Sequence, residues 1–177
     1  MPKLITFETD FGLAGITYSE LPFRLHNVFL PGSETVKILS EDYEMENGPD
    51  GKKHHKTALK ISRELMDYFN GKCMACPVWE MMDLGDLTEK EIAVLKAVAS
   101  IPYGETRSYK EVAFMADLPN AYRFVGSTMA KNPFPVLVPC HRVVKSDGSL
   151  GEFGGGKSLK EKMVSLEKTH RRTLIAS

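Results

Sequence analysis

Three capping-box patterns in the second half of the chain, Thr88-Glu89-Lys90-Glu91, Ser108-Tyr109-Lys110-Glu111 and Ser158-Leu159-Lys160-Glu161, constrain the fold more than any other feature. In such a box the Ser/Thr hydroxyl accepts from the backbone N–H three residues on, and the Glu carboxylate reaches back to the N–H of the cap. Apolar residues at helical spacing follow: Ile92, Leu95, Val98 and Ala99 after the first box, stopping before Pro102-Tyr103-Gly104, and Val112, Ala113, Met115 and Ala116 after the second. Asp117-Leu118-Pro119-Asn120 predicts a short turn into a third helix over residues 121–131, ended by Asn132-Pro133. Two short helices joined by a four-residue turn have the dimensions of a helix-turn-helix, whose second helix commonly enters a DNA groove; any compact helical hairpin gives the same pattern.

The first half reads differently. Leu4 to Glu8, Leu13 to Tyr18 and Leu25 to Leu30 are β-like runs set around Asp10-Phe11-Gly12 and closed by Pro31-Gly32, which predicts a small antiparallel sheet. Glu34 to Leu39 reads as one or two helical turns, Asn47-Gly48-Pro49-Asp50-Gly51 as a loop, and Thr57 to Phe69 as a helix carrying Leu59, Ser62, Leu65, Met66 and Phe69 in register. Residues 71–86 read as a last strand or extended connector. The expected fold class is α+β followed by α. An N-terminal α+β domain, residues 1–86, holds the small sheet with its helices, and a C-terminal helical domain, residues 87–177, holds the helix-turn-helix and a cysteine-bearing loop.

Charge divides the same way. Lys and Arg against Asp and Glu count 9 to 14 over residues 1–87 and 14 to 9 over residues 88–177, so a neutral chain is acidic in one half and basic in the other. A basic half fits contact with a polyanion; a dipolar protein with solvated charges fits the counts as well. No run of eighteen apolar residues exists, and the N-terminus reaches Glu8 too soon for a signal peptide, so the expected location is the cytosol, or the nucleus in a eukaryote, with no membrane contact. Three cysteines form no disulfide framework, which fits a reducing compartment. Cys73-Met74-Ala75-Cys76, with His26, His54 and His55, could complete a mixed zinc site, but one C-x-x-C pair reads first as two ordinary thiols in a connector, so no metal is expected. Lys52-Lys53-His54-His55-Lys56 reads as a solvated basic loop.

Chemistry concentrates at Pro139-Cys140-His141-Arg142, between the apolar run from Pro133 to Val138 and Val143-Val144. A thiol beside an imidazole points to nucleophilic catalysis, because thiolate is the reactive form and a neighbouring base or positive environment brings its pKa toward neutrality. A buried core cysteine gives the same four residues.

The surrounding residues decide between these readings. Ile101-Pro102-Tyr103-Gly104-Glu105-Thr106-Arg107-Ser108-Tyr109, then Arg123-Phe124-Val125-Gly126, Asn132-Pro133 and Pro139-Cys140-His141-Arg142-Val143-Val144 closely resemble the O6-alkylguanine-DNA alkyltransferases, in order as well as locally. The match continues through Gly148, Gly151, Gly155-Gly156, Lys160 and Glu167 and so covers about residues 88–168; residues 1–86 carry no motif of the family. The resemblance implies a DNA repair protein, a monomer acting on double-stranded DNA that contains O6-alkylguanine, moving the alkyl group to its own Cys140 and requiring no cofactor. The thioether product has no bond that water cleaves, so each molecule acts once. The resemblance further implies His141 as the base acting on Cys140 through a water, Glu167 holding the imidazole, and Asn132 bridging the helix-turn-helix and the cysteine loop. A base inside a duplex cannot present O6 to a thiol, so the nucleotide is flipped into a pocket, with Arg123 filling the vacated stack and Tyr109 contacting the flipped guanine. The remaining wall is expected from Met129, Pro135, the backbone near Cys140 and Val143, and Phe153-Gly154-Gly155. Lys110 and Ser146 are expected phosphate contacts, with Ala121 in the DNA-binding set.

Three departures from the family pattern matter. Phe153 stands where tyrosine is common and Gly154 where serine is common, which removes a side-chain hydroxyl near the guanine O6, and the Gly154-Gly155-Gly156 run leads to the expectation of a roomy pocket lip that admits benzyl. Tyr122 and Phe124 flank Arg123 where small residues are common, which bears on how the helix docks. Two other classes compete with this reading. Non-catalytic alkyltransferase-like recognition modules lack the cysteine, and a Cys-His hydrolase needs an oxyanion site that no feature here specifies.

Overall fold

The computed structural model describes residues 2–34, 38, 55–73 and 79–176, with side chains through residue 171. Most of the expected helical turn at 34–39, the loop at 47–51 and much of the basic cluster at 52–56 lie outside the described residues. The chain divides into two compact units, Met1–Asp83 and Leu84–Ser177.

The N-terminal unit is a meander of three antiparallel strands, β1 (Lys3–Thr9), β2 (Gly12–Glu20) and β3 (Phe23–Phe29), in the order β1-β2-β3. Thr9 closes the first hairpin: its hydroxyl donates to Gly12 O (2.7 Å) and accepts from Phe11 N–H (3.1 Å), and Gly12 takes a φ of 113° that disfavours a side chain. Ile5 and Phe7 on β1 and Ala14, Ile16 and Tyr18 on β2 are buried at strand alternation. Helix α1 (Lys56–Phe69) packs on β1 and β2 through Ala58, Ser62, Leu65, Tyr68 and Phe69. His55 caps α1, its Nδ1 accepting from Thr57 N–H (3.2 Å), and its ring stacks on Phe23. Of the expected connector at 71–86, the described part forms a 3-10 turn, Trp79–Met81, followed by a bridge from Met82 to Leu25.

The C-terminal unit follows its capping signals. Helix α2 (Glu89–Ala99) starts at a complete capping box on Thr88, and α3 (Tyr109–Met115) at another on Ser108, where Ser108 N–H donates to Glu111 Oε2 (2.6 Å) and Glu111 N–H to Ser108 Oγ (3.2 Å). Each such cap contributes about 1 kcal/mol. The α3 C-terminus is a Schellman turn: Asp117 N–H reaches Phe114 O (3.1 Å), Leu118 N–H reaches Ala113 O (2.9 Å), and Asp117 takes a φ of 56° where glycine is usual. Asn120 at φ 68° then turns the chain into α4 (Tyr122–Ala130). The third box behaves differently. The last helix, α5 (Lys157–Ala176), begins one residue before Ser158, and Lys160 N–H bonds Gly156 O (3.2 Å), so Gly156 occupies the cap and Ser158 sits in the first turn. Gly156 has a φ of 84° and stops the chain sharply there, which fixes the start ahead of the serine.

The core of this unit is Val94, Leu95 and Val98 of α2, Val112 and Ala113 of α3, Val125 of α4 and Met163 of α5, each buried. Burying one such large aliphatic side chain stabilises by about 1.5–3 kcal/mol. Two two-residue strands, β4 (Arg107–Ser108) and β5 (Val143–Val144), pair in parallel with Arg107 opposite Val143. This short ladder ties the start of α3 to the end of the cysteine turn.

Candidate active site

The segment between α4 and Cys140 is apolar and tightly folded. Asn132 staples its two ends: Nδ2 donates to Val138 O (2.9 Å) and Oδ1 accepts from Phe134 N–H (3.0 Å), while Val138 N–H closes on Phe134 O (2.8 Å). Val136, inside this loop, is held at φ 73°, which costs a β-branched residue about 1–3 kcal/mol. Burial of Phe134, Val136, Leu137 and Val138 offsets that strain. The loop delivers Cys140, His141 and Arg142 into a single buried 3-10 turn.

Three adjacent residues therefore face different partners. His141 Nε2 lies 2.6 Å from Glu167 Oε1 on α5, with both side chains out of solvent. Arg142 embraces the same carboxylate, Nε donating to Oε2 (2.9 Å) and Nη2 to Oε1 (3.0 Å), while its Nη1 donates to Ile101 O (2.6 Å). Gly104 N–H completes the set on Oε2 (2.9 Å). Gly104 is required there: its φ is 75°, and a Cβ would fall 2.7 Å from Arg171 Cδ and 3.2 Å from Glu167 O. Burial works against the Glu167 carboxylate, but the hydrogen bond and charge of His141, with those of Arg142, outweigh it and hold the pKa at about 2. An ionised Glu167 can only accept, so His141 carries its proton on Nε2 and its lone pair on the buried Nδ1. Burial lowers the pKa of His141, and the hydrogen bond and charge of Glu167 pull it back up.

Cys140 is buried, and burial pushes its thiol pKa up; the Asn132 amide, the Lys160 ammonium and the backbone N–H groups of Cys140 and His141 oppose that shift. The imidazole hydrogen bond runs to Glu167, and burial outweighs the opposing groups at the sulfur. Lys160 is 1% exposed, donates from Nζ to Val143 O (2.6 Å) and stands 5.9 Å from the ring centroids of Tyr109 and Phe153. Burial lowers its pKa, and the Cys140 and Glu152 charges raise it.

Beside this cluster opens a cavity of about 920 Å³, lined by Tyr109, Lys110, Tyr122, Ser146, Phe153 and Gly154 among others. Tyr109 is half-buried; burial first, then the Cys140 and Glu152 charges, raise its pKa and keep its hydroxyl a donor. Gly151 sits directly under that hydroxyl, where a Cβ would collide with it. A Cβ on Gly154 would meet nothing within 4 Å, so the lip is open there. Of the residues expected in the wall, Met129, Pro135 and Val143 are buried in the unit and are not lining residues, and Gly155 is half-buried. Arg123 is exposed on α4 beside Tyr122, Phe124 is half-buried, and Ala121 precedes α4 as its cap without a side-chain bond. The roles of Arg142, Lys160 and Gly104 escaped sequence reasoning, although Arg142 and Lys160 lie in the motif itself.

Among the described residues no group of three or more His, Cys, Asp or Glu could hold a metal ion. Cys76 and His54 lie outside the described residues. His26 binds Asp83 instead (2.7 Å), and Cys73 is exposed. No helix among the described residues is long and apolar enough to cross a membrane.

Residues 89–169 match the family described as 6-O-methylguanine DNA methyltransferase, DNA binding domain. A methylated-DNA–protein-cysteine methyltransferase of Methanosarcina barkeri is 36% identical over 147 residues, 83% of this chain and 85% of that protein. The crystal structure of Mycobacterium tuberculosis OGT in complex with DNA is similar at a TM-score of 0.69 and 30% identity, covering 94% of this chain and 93% of that one. The M. tuberculosis O6-methylguanine methyltransferase structure is similar at a TM-score of 0.70 and 31% identity, covering 96% and 94%. With its Cys140-His141-Arg142 turn bound to Glu167, this chain belongs to the methylated-DNA–protein-cysteine methyltransferase family.

Proposed function

We propose that this protein repairs double-stranded DNA by moving the O6-alkyl group of a flipped guanine irreversibly to Cys140. The observation that carries the reading is the buried His141–Glu167 pair (2.6 Å) in the same turn as the buried Cys140 thiol, beside a cavity bearing the Tyr109 hydroxyl.

The step is an in-line displacement at saturated carbon. Sγ of Cys140 forms the bond to the alkyl carbon, and the bond from that carbon to O6 breaks. The thiol proton passes through a water to Nδ1 of His141, whose Nε2–H is held by Glu167. Glu167 orients the ring and stabilises the imidazolium, as the acidic member of a triad does. The electron pair left on guanine is stabilised by a hydrogen bond from the Tyr109 hydroxyl to a ring nitrogen, a role that fits a phenol that burial keeps protonated, and the released base takes its proton from water. Thiolate forms as His141 takes the thiol proton through that water with the alkyl carbon aligned on Sγ. The Asn132 amide, the Lys160 ammonium and local N–H groups receive that charge. Arg123, exposed at the start of α4, is suited to fill the stack left by the extruded base, and Lys110 and Ser146, which line the cavity, are the proposed phosphate contacts. Phe153 and Gly154 form the lip.

Duplex DNA carrying a labelled O6-methylguanine tests the reading. One equivalent of methyl should leave the DNA per protein molecule and no more, and Cys140→Ala should remove none. Repeated turnover, or transfer by Cys140→Ala, would refute it.

A further inference from the structure

Among the described residues of the C-terminal unit, the large hydrophobic side chains left exposed are Phe114 (76%), Met115 (39%) and Tyr122 (47%), and all three lie on the two helices of the helix-turn-helix. Apolar exposure confined to one face marks an interaction surface more often than chance. Phe114 and Met115, with Pro119 and Asn120 from the turn, line a groove of about 420 Å³ whose other side is Lys110 and Arg107. Lys110 also lines the large cavity beside Tyr109, so the groove and the cavity share one wall. Lys110 and Phe114 are four residues apart on α3 and project from the same helix face.

The charges around the groove are unequally committed. Glu111 is consumed by the α3 cap and Arg107 by Glu105 (2.8 Å), whereas Lys110 makes no ion pair among the described residues. The groove thus offers one available cation next to an apolar floor. That combination matches a nucleic-acid strand, with a phosphate for the ammonium and the apolar face of a deoxyribose or base for the ring.

We infer that the Phe114–Met115 groove seats the DNA strand immediately flanking the flipped nucleotide. This rests on the functional reading above and extends it by a second subsite. Lys110 lines both the cavity and the groove, so a strand that runs from a nucleotide in the cavity past Lys110 meets the apolar surface across that shared wall. Phe114 makes no core contribution at this exposure, so its bulk is available to the strand.

Transfer rates measured with the full-length protein on three substrates test this: a duplex with O6-methylguanine at its centre, duplexes trimmed next to the lesion on one side or the other, and the free base O6-methylguanine. Phe114→Ser should slow transfer from the central lesion about tenfold, the lower end of the loss for an aromatic–base contact. The loss should vanish on one of the two trimmed duplexes and be absent on the free base, and Phe114→Trp should restore the rate. An unchanged rate on the central lesion, or an equal loss on all three substrates, would overturn the inference. So would a self-association of the parent that Phe114→Ser abolishes, since the groove would then hold a second copy. If the parent transfers methyl from no substrate, the functional reading falls and the groove's assignment with it; transfer with an unchanged Phe114→Ser rate removes the groove alone.

Discussion

Replacing Glu167 by glutamine should remove a pH-dependent part of the stability and leave a deficit that shrinks as pH falls. The carboxylate accepts from His141 Nε2, Arg142 Nε and Nη2, and Gly104 N–H, and its pKa falls from 4.5 to about 2. A depressed carboxylate pKa stabilises the fold above the unfolded value and loses that contribution as pH falls through the folded one, here between about pH 4.5 and 2. The shift of about 2.5 units corresponds to about 3 kcal/mol at 1.36 kcal/mol per unit. Glutamine keeps one acceptor oxygen but leaves the buried Arg142 guanidinium without a counter-charge, a change that costs about 3–5 kcal/mol. The parent and Glu167→Gln should therefore differ by about that amount at pH 7 and draw together as pH falls toward about 2, where the parent carboxyl becomes half protonated. Urea titrations followed by circular dichroism, with amide exchange on α2 and α5, read this directly. The one tryptophan, Trp79, lies in the other unit and is the wrong probe. A stability gap that stays constant from pH 7 to pH 2 would refute the assignment of this carboxylate as the charged centre of the turn.

Other outcomes follow from the same geometry. Because burial raises the Cys140 thiol while Cys73 is exposed, iodoacetamide at pH 7 should label Cys73 well before Cys140 in the free protein; preferential labelling of Cys140, read by peptide mass, would mean that the thiolate pre-exists. Gly104→Ala should destabilise by about 2–5 kcal/mol, combining a left-handed φ with overpacking against Arg171 and the Glu167 carbonyl, and a midpoint shift below 1 kcal/mol would contradict the crowding there. The open lip at Gly154 should let O6-benzylguanine alkylate Cys140; failure to react while methylated DNA is repaired would show the pocket to be narrower than its glycines imply.

Short-range signals made much of this molecule legible in its sequence. The Thr88 and Ser108 boxes placed α2 and α3 because a cap is a local contract between residues three apart, and the short β-like runs around Asp10-Phe11-Gly12, closed by Pro31-Gly32, marked the strands of the first sheet for the same reason. Ser158 obeyed the same pattern and misled, since Gly156, two residues earlier, could take the positive φ that starts the helix. What stayed hidden depends on distance in sequence. Arg142 reads as one more residue of a motif until α5 brings Glu167 to it from 25 positions away. Strands β4 and β5 are two residues each and have no periodicity to detect, yet they tie Tyr109 to the cysteine turn. Lys160 reads as a surface lysine on a charged helix, and only the packing of α5 shows its ammonium buried on Val143 O. The resemblance supplied Cys140, His141 and Glu167 as a set; the geometry added that the histidine faces its glutamate and that the thiol is buried.

The central claim is that Cys140 is the alkyl acceptor, and the most direct measurement is the mass of the intact protein, with peptide mapping, after incubation with duplex DNA containing O6-methylguanine. The account predicts a single methyl increment, located on the peptide holding Cys140, reaching one per molecule and absent in Cys140→Ala. An increment on any other residue, or none despite selective binding of the lesion, would contradict it.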